Sequence, residues 1–188
     1  MVLLLLNTVL AAAPETRVWL AGEVSLPVGF GSPSSFGGGF GGLAGVSLGA
    51  VPSRSLGLEA RVAEVLASSP FREMGAIEVM LRYPAGSGPY GAVGFAHHHE
   101  APIDALLAEP VGVVAGSSKL ITHRSGVALG GGWDFAAPFP KISFLQRLRP
   151  FVDLTGAWLP DRVRPNIYVF LNVGIKIGVG KLIWAEEG

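Results

Sequence analysis

From Ile167 to Val179 every second residue is aliphatic: Ile167, Val169, Leu171, Val173, Ile175, Ile177 and Val179, with Tyr168, Phe170, Asn172, Gly174, Lys176 and Gly178 between them. A helix of 3.6-residue period would scatter these two sets around its circumference, whereas a strand sends successive side chains to opposite faces. The segment is therefore a strand with one continuous aliphatic face. It is also long: strands in globular proteins run to about 5 or 6 residues, and one that crosses a bilayer at a tilt needs about 9 to 11.

The same two-faced pattern recurs seven times upstream. Val18, Leu20, Val24, Leu26 and Val28 alternate with Arg17, Trp19, Ala21, Glu23 and Ser25. A Gly, Ser and Phe segment, Gly29 to Gly39, reads as a loop, after which Phe40, Ala44, Val46 and Leu48 alternate with Gly41, Leu43, Gly45, Ser47 and Gly49. Pro52 in VPSR marks a tight turn. Leu56, Leu58, Ala60 and Val62 then oppose Gly57, Glu59, Arg61 and Ala63, and past Ser68, Ser69 and Pro70, Ile77, Val79, Leu81 and Tyr83 oppose Ala76, Glu78, Met80 and Arg82. The short turn PAGSG, Pro84 to Gly88, leads to Val93 and Phe95 against Tyr90, Ala92, Gly94 and Ala96. The longest connection runs from about His99 to Thr122, and IDALLAE within it has the composition of one helical turn or two. Val127, Leu129, Trp133 and Phe135 make the sixth strand and Val152, Leu154 and Trp158 the seventh, with DRVRP as the last loop. Between those two strands, Ile142, Phe144, Leu145 and Leu148 are spaced for a small interfacial helix within Ala136 to Arg147.

Eight such strands predict an all-β fold, an eight-stranded antiparallel up-and-down transmembrane β-barrel over residues 17–180. Composition agrees. Charged residues are 15% and hydrophobic ones 49%, with mean hydropathy +0.48, against about 25% charged in an average soluble domain. No stretch reads as a membrane helix, since the uncharged run Ser34 to Ser53 is crowded with glycine, which leaves the closed barrel as the way to satisfy the backbone in lipid. Zero net charge argues against a nucleic-acid partner. The absence of cysteine excludes disulfides and thiol chemistry. Residues 1–13 read as a cleaved signal peptide, with an apolar core from Val2 to Leu10 and small Ala11, Ala12 and Ala13, and 181–188 as a C-terminal tail.

Alternation alone leaves open which face is outside. A soluble lipocalin-like barrel holding an apolar ligand would turn the aliphatic face inward. The second face, however, is rich in Gly and Ala and carries Glu23, Glu59, Glu78, Asp134 and Asp153 with Arg61, Arg82 and Lys176. Small residues suit the cramped interior of an eight-stranded barrel, and acids and bases in comparable number can be buried if paired. Glu59/Arg61 and Glu78/Arg82 are the expected pairs, Trp19 is expected inside, and Tyr83, Trp133, Trp158 and Trp184 suit interface belts.

Asn172, Gly174, Ile177 and Val179 fit the polar, any, Gly, any, any, hydrophobic, any, hydrophobic pattern that closes the last strand of bacterial outer-membrane barrels, with Val179 where an aromatic is usual. By this motif, the strand count and the alternation, the chain resembles the small outer-membrane barrels of the opacity-protein and OmpA transmembrane-domain type. The resemblance implies the outer membrane of a Gram-negative bacterium, contact with its lipid and lipopolysaccharide, and insertion by the barrel-assembly machinery. With the N-terminus in the periplasm, VPSR and PAGSG fall inside and the longer loops outside. The function expected is a structural or surface-binding scaffold, with the His99 to Thr122 loop as contact surface.

All four histidines lie at the outer end of strands five and six. By parity His97, His99 and His123 point outward while His98 and Glu100 point in. Three imidazoles on one face have the chemistry for zinc, but spacing fixes no carboxylate or fourth ligand, so a polar rim facing headgroups is the expectation and neither metal nor cofactor is assigned. His123, Arg124 and Ser125 form a His-x-Ser triplet similar to that of the eight-stranded lipid A deacylases, whose catalytic pair faces lipid. The resemblance implies an alternative function, an acyl hydrolase of lipid A or phospholipid, with Ser125 as nucleophile and His123 as base. That family places a Glu downstream of the serine; here none occurs before Glu186, and Glu100 or Glu109 is the substitute.

Overall fold

The computed structural model describes residues 15–30, 35–49, 55–68, 71–138, 142, 145–160, 162 and 166–179. The expected signal peptide, the VPSR turn, Trp184 and the C-terminal tail lie outside them. Eight strands, β1 (Glu15–Phe30), β2 (Ser35–Gly49), β3 (Leu56–Ala67), β4 (Arg72–Tyr83), β5 (Gly88–Pro102), β6 (Thr122–Asp134), β7 (Leu148–Trp158) and β8 (Ile167–Val179), follow in chain order. Each pairs antiparallel with the next, and β8 closes on β1 from Val18↔Val179 to Phe30↔Ile167. β1, β3, β5 and β7 end, and β2, β4, β6 and β8 begin, at one end of the barrel, called the upper end below; β1 begins and β8 ends at the other.

Exposure decides which face is outside. Lys176 is 0% exposed, while its neighbours Ile175 and Ile177 are 50% and 42% exposed. The same division holds in β3 and β4, where Leu58, Val62, Val79 and Leu81 lie outside and Glu59, Arg61, Glu78 and Arg82 lie within. A barrel with charge inside and aliphatic side chains outside is the inverse of a lipocalin, so the soluble reading is overturned.

The loop expected from Gly29 to Gly39 is corrected: β1 continues to Phe30 and β2 begins at Ser35. Its glycines mark close approach of backbones within the sheet. A Cβ built on Gly39 would fall 2.6 Å from Val65 Cα and 2.8 Å from Glu64 C on β3, so only glycine fits there. The interfacial helix expected within Ala136 to Arg147 is reduced, among the described residues, to one 3-10 turn at Leu145–Arg147. In the long connection IDALLAE does turn helical, as α1 (Ile103–Ala108), followed by α2 (Pro110–Val114), whose proline occupies the first turn, where its missing N–H costs nothing.

The lumen is filled by three layers. At the lower end Trp19, Leu43, Ala85 and Phe151 pack together. Above them lies a charge network centred on Arg61, which ion-pairs with Asp153 at 2.6 Å, Glu23 at 3.0 Å, Glu78 at 3.7 Å and Glu59 at 3.8 Å. Arg82 pairs with Asp134 and Glu59, and Lys176 with Asp134 at 2.9 Å and Glu59 at 3.7 Å. Tyr90 and Asn172 each donate to Asp153 at 2.7 Å. In place of the expected Glu78/Arg82 staple, Glu78 meets Arg61, its register partner on β3, and Arg82 reaches Glu59 on β3 and Asp134 on β6. Higher up, Met74, Met80, Tyr168, Phe170 and Leu159 form an apolar layer with several alanines. Burying so many charges is tolerable only because each finds an opposite charge within contact range.

Candidate functional site

Two groups of polar side chains occupy the outward face of the wall at its upper end. Outward side chains lower down the same strands are Val93, Phe95, Val127 and Leu129, all exposed. The polar groups therefore begin where the aliphatic belt stops. Phe95 opposes Val127, and the next outward pair is His97 opposite Ser125, then His99 opposite His123.

In the first group Ser125 Oγ lies 2.8 Å from His97 Nδ1, and His97 Nε2 lies 3.1 Å from His123 Nδ1. The two rings stack with centroids 5.2 Å apart. One tautomer satisfies both contacts: Ser125 donates to His97 Nδ1, and His97 Nε2–H donates to His123 Nδ1. The arrangement has the logic of an activated nucleophile, with a base on the hydroxyl and a third group that orients the base. The expected pairing is corrected in one respect. Ser125 contacts His97 of the neighbouring strand, and His123 contacts the far nitrogen of the same ring. This could not be read from the His-x-Ser spacing, because the partner comes from the neighbouring strand through a hairpin whose register a long connection does not fix.

Glu100, the expected orienting acid, turns into the lumen, as its parity required. It accepts from Arg124 at 2.7 Å and from Tyr168 at 3.0 Å and pairs with Arg72 at 2.9 Å. These bonds occupy it on the opposite side of the wall from His97. Glu109, the other candidate, accepts from Ser118 Oγ at 2.8 Å within the loop.

His99 leads to the second group. Its side chain is buried, and Nε2 lies 3.6 Å from Glu73 Oε1 and 4.0 Å from Glu64 Oε1. All three residues face outward by alternation, Glu64 on β3, Glu73 on β4 and His99 on β5, around Gly75, which pairs with both Glu64 and His99. The ring lies across Gly75, where a Cβ would stand 2.8 Å from Nδ1. The loop closes over the other side. Ala101, outward on β5, packs with Ala105 of α1 and Val113 of α2, and a Cβ on Gly116 would reach 3.4 Å from His99 Nδ1. The sequence reading singles out neither Glu64 nor Glu73. The available signal was the short turn at Ser68 to Pro70, around which both acids fall on one face once the strands are extended toward it.

No family model and no curated protein sequence matches the chain. Solved structures do. The attachment invasion locus protein of Yersinia pestis superposes with TM-score 0.52 at 10% identity, covering 89% of this chain and 99% of that one. Neisserial surface protein A superposes with TM-score 0.53 at 10% identity, covering 87% and 98%. The Yersinia pestis protein in complex with the heparin analogue sucrose octasulfate gives TM-score 0.50 at 8% identity over 88% and 99%. What is shared is the fold, the closed eight-stranded barrel.

Proposed function

We propose that the chain is an outer-membrane protein of a Gram-negative bacterium, a sealed barrel that carries a binding surface at its upper, extracellular end. The observation that supports this most directly is the division of faces: an aliphatic belt outside, on strands of 11 to 16 residues, where a crossing requires about 9 to 11, and a lumen closed by Arg61, Arg82 and Lys176 with their acids. A charged plug of this kind leaves no aqueous path, so the working surface is the end where α1 and α2 lie. There Leu107 and Val111 are 76% and 81% exposed. The upper connections hold Asp104, Glu109 and Asp161 against Lys119, Arg162 and Arg164, with no basic excess. The polyanion held by the Yersinia pestis protein is therefore not carried over, and an apolar or mixed partner surface fits better.

Planar-bilayer recording on the refolded barrel tests the sealed lumen: no conductance steps are expected, and steps of a stable channel would overturn it. Attachment of cells displaying the protein to immobilised extracellular-matrix glycoproteins tests the surface. Leu107→Ser with Val111→Ser should reduce attachment; equal attachment would remove the helices from the proposal.

A second reading rests on the 2.8 Å contact of Ser125 with His97. Placed at the upper edge of the belt, Ser125 Oγ could attack the carbonyl of an ester-linked acyl chain. His97 Nδ1 would take the hydroxyl proton and return it to the departing alkoxide, and water would then release the fatty acid from the acyl-enzyme. Mass spectrometry of lipid A from vesicles bearing wild type, Ser125→Ala and His97→Ala tests it. Loss of an acyl chain with wild type alone supports the hydrolase; unchanged lipid A in all three removes it.

A further inference from the structure

We propose that Glu64, Glu73 and His99 form a binding site for a divalent transition-metal ion of the zinc class, on the outer wall beneath the helical loop. The proposal is independent of the Ser125 and His97 pair.

Like charge in a partly closed space carries the argument first, with the Glu64 side chain 34% exposed. The carboxylates of Glu64 and Glu73 and the imidazole of His99 bring their ligand atoms within 4.8 Å of one another. Glu73 is buried, with its side chain 4% exposed. Both of its oxygens, Glu64 Oε2 and His99 Nε2 are shut off from solvent and have no hydrogen-bond partner among the described residues. The ion pairs these two acids make among the described residues are with His99 alone. The cation next in sequence, Arg72, is directed into the lumen toward Glu100 and Tyr168. Two facing carboxylates need a shared proton or a cation between them, and with an imidazole nitrogen at the same point a divalent cation is the occupant that uses all three groups.

Geometry then points to the ion. Zinc binds imidazole nitrogen and carboxylate oxygen at about 2.0–2.2 Å, which sets donor separations near 3.4 Å in a tetrahedron. The 3.6 Å and 4.0 Å separations from Nε2 need to contract by about 0.2 Å and about 0.6 Å to meet that spacing. The ring is held in place, with its Cε1–Nε2 edge over Gly75 and its Nδ1 side against Gly116, and Nε2 is the ring atom within 4.0 Å of both acids. Packing that fixes a ligating ring is the support such sites require. An imidazole in the donor set selects against calcium and magnesium, which prefer oxygen throughout. Three protein ligands leave one position open.

The test uses the full barrel refolded in detergent micelles, stripped of metal and titrated with zinc alone by calorimetry, with far-UV circular dichroism to confirm folding. One equivalent of zinc should bind the wild type. Glu73→Gln and Glu64→Gln should each weaken binding by about tenfold or more, and His97→Ala with His123→Ala should leave it unchanged. Glu73→Gln removes a repelling charge, so it folds, and the proposal requires a crossover: without metal its Tm matches or exceeds the wild type, and with zinc it falls below. Absence of zinc binding to the wild type, preference for calcium over zinc, or binding that survives Glu73→Gln but not the double histidine variant would overturn the site.

Discussion

Arg61→Met isolates what the lumen network contributes. The guanidinium is the shared cation of Glu23, Glu78 and Asp153, at 3.0, 3.7 and 2.6 Å, and it also donates to Thr155 at 2.9 Å. Methionine refills much of the volume, so the loss is chiefly electrostatic. The remaining cations of that layer cannot take over, because Arg82 and Lys176 already serve Asp134 and Glu59. Three buried carboxylates are left facing one another. At an effective dielectric of about 20 each contact near 4 Å is worth about 4 kcal/mol before desolvation, and removing one partner of a buried pair costs about 3–5 kcal/mol net. Equilibrium guanidinium unfolding in micelles, followed by tryptophan fluorescence, should show a loss of that size. Adding Asp153→Asn, which neutralises the nearest acid, should restore part of it. A loss below about 1 kcal/mol, or a double variant no better than the sum of independent changes, would refute the account of the network as mutually dependent.

Leu129, 70% exposed on the outward face of β6, should tolerate alanine but not arginine in liposomes: Leu129→Arg is expected to cost about 2–4 kcal/mol if the side chain sits near the bilayer midplane, read as a lower folded fraction, and no difference from alanine would contradict the lipid-facing belt. Gly39→Val drives its Cβ into the β3 backbone at Val65 Cα and should destabilise by about 1–3 kcal/mol through overpacking, measured by the same guanidinium titration; a neutral result would mean that the glycines of β2 are linkers after all.

The strand pattern was legible because the side-chain period of a strand is a local property. Lys176 between Ile175 and Ile177 already states that two environments meet there, and the size of Gly, Ala and acidic residues on one face stated which was inside. Extending that parity placed His97, His98, His99 and Glu100 on their correct faces without any knowledge of their neighbours. The glycines of 35–39 were misread because glycine signals both a turn and a close backbone approach, and only the facing strand tells them apart. Partnership was beyond the sequence for a related reason. That Ser125 meets His97, that Arg61 gathers acids from three other strands, and that Glu64, Glu73 and His99 converge on Gly75 all depend on inter-strand register and on which wall a long side chain crosses to. Register is set by the closure of the whole barrel, a quantity no single segment carries; alternation fixed each side chain's face, and only the closed sheet fixed its company.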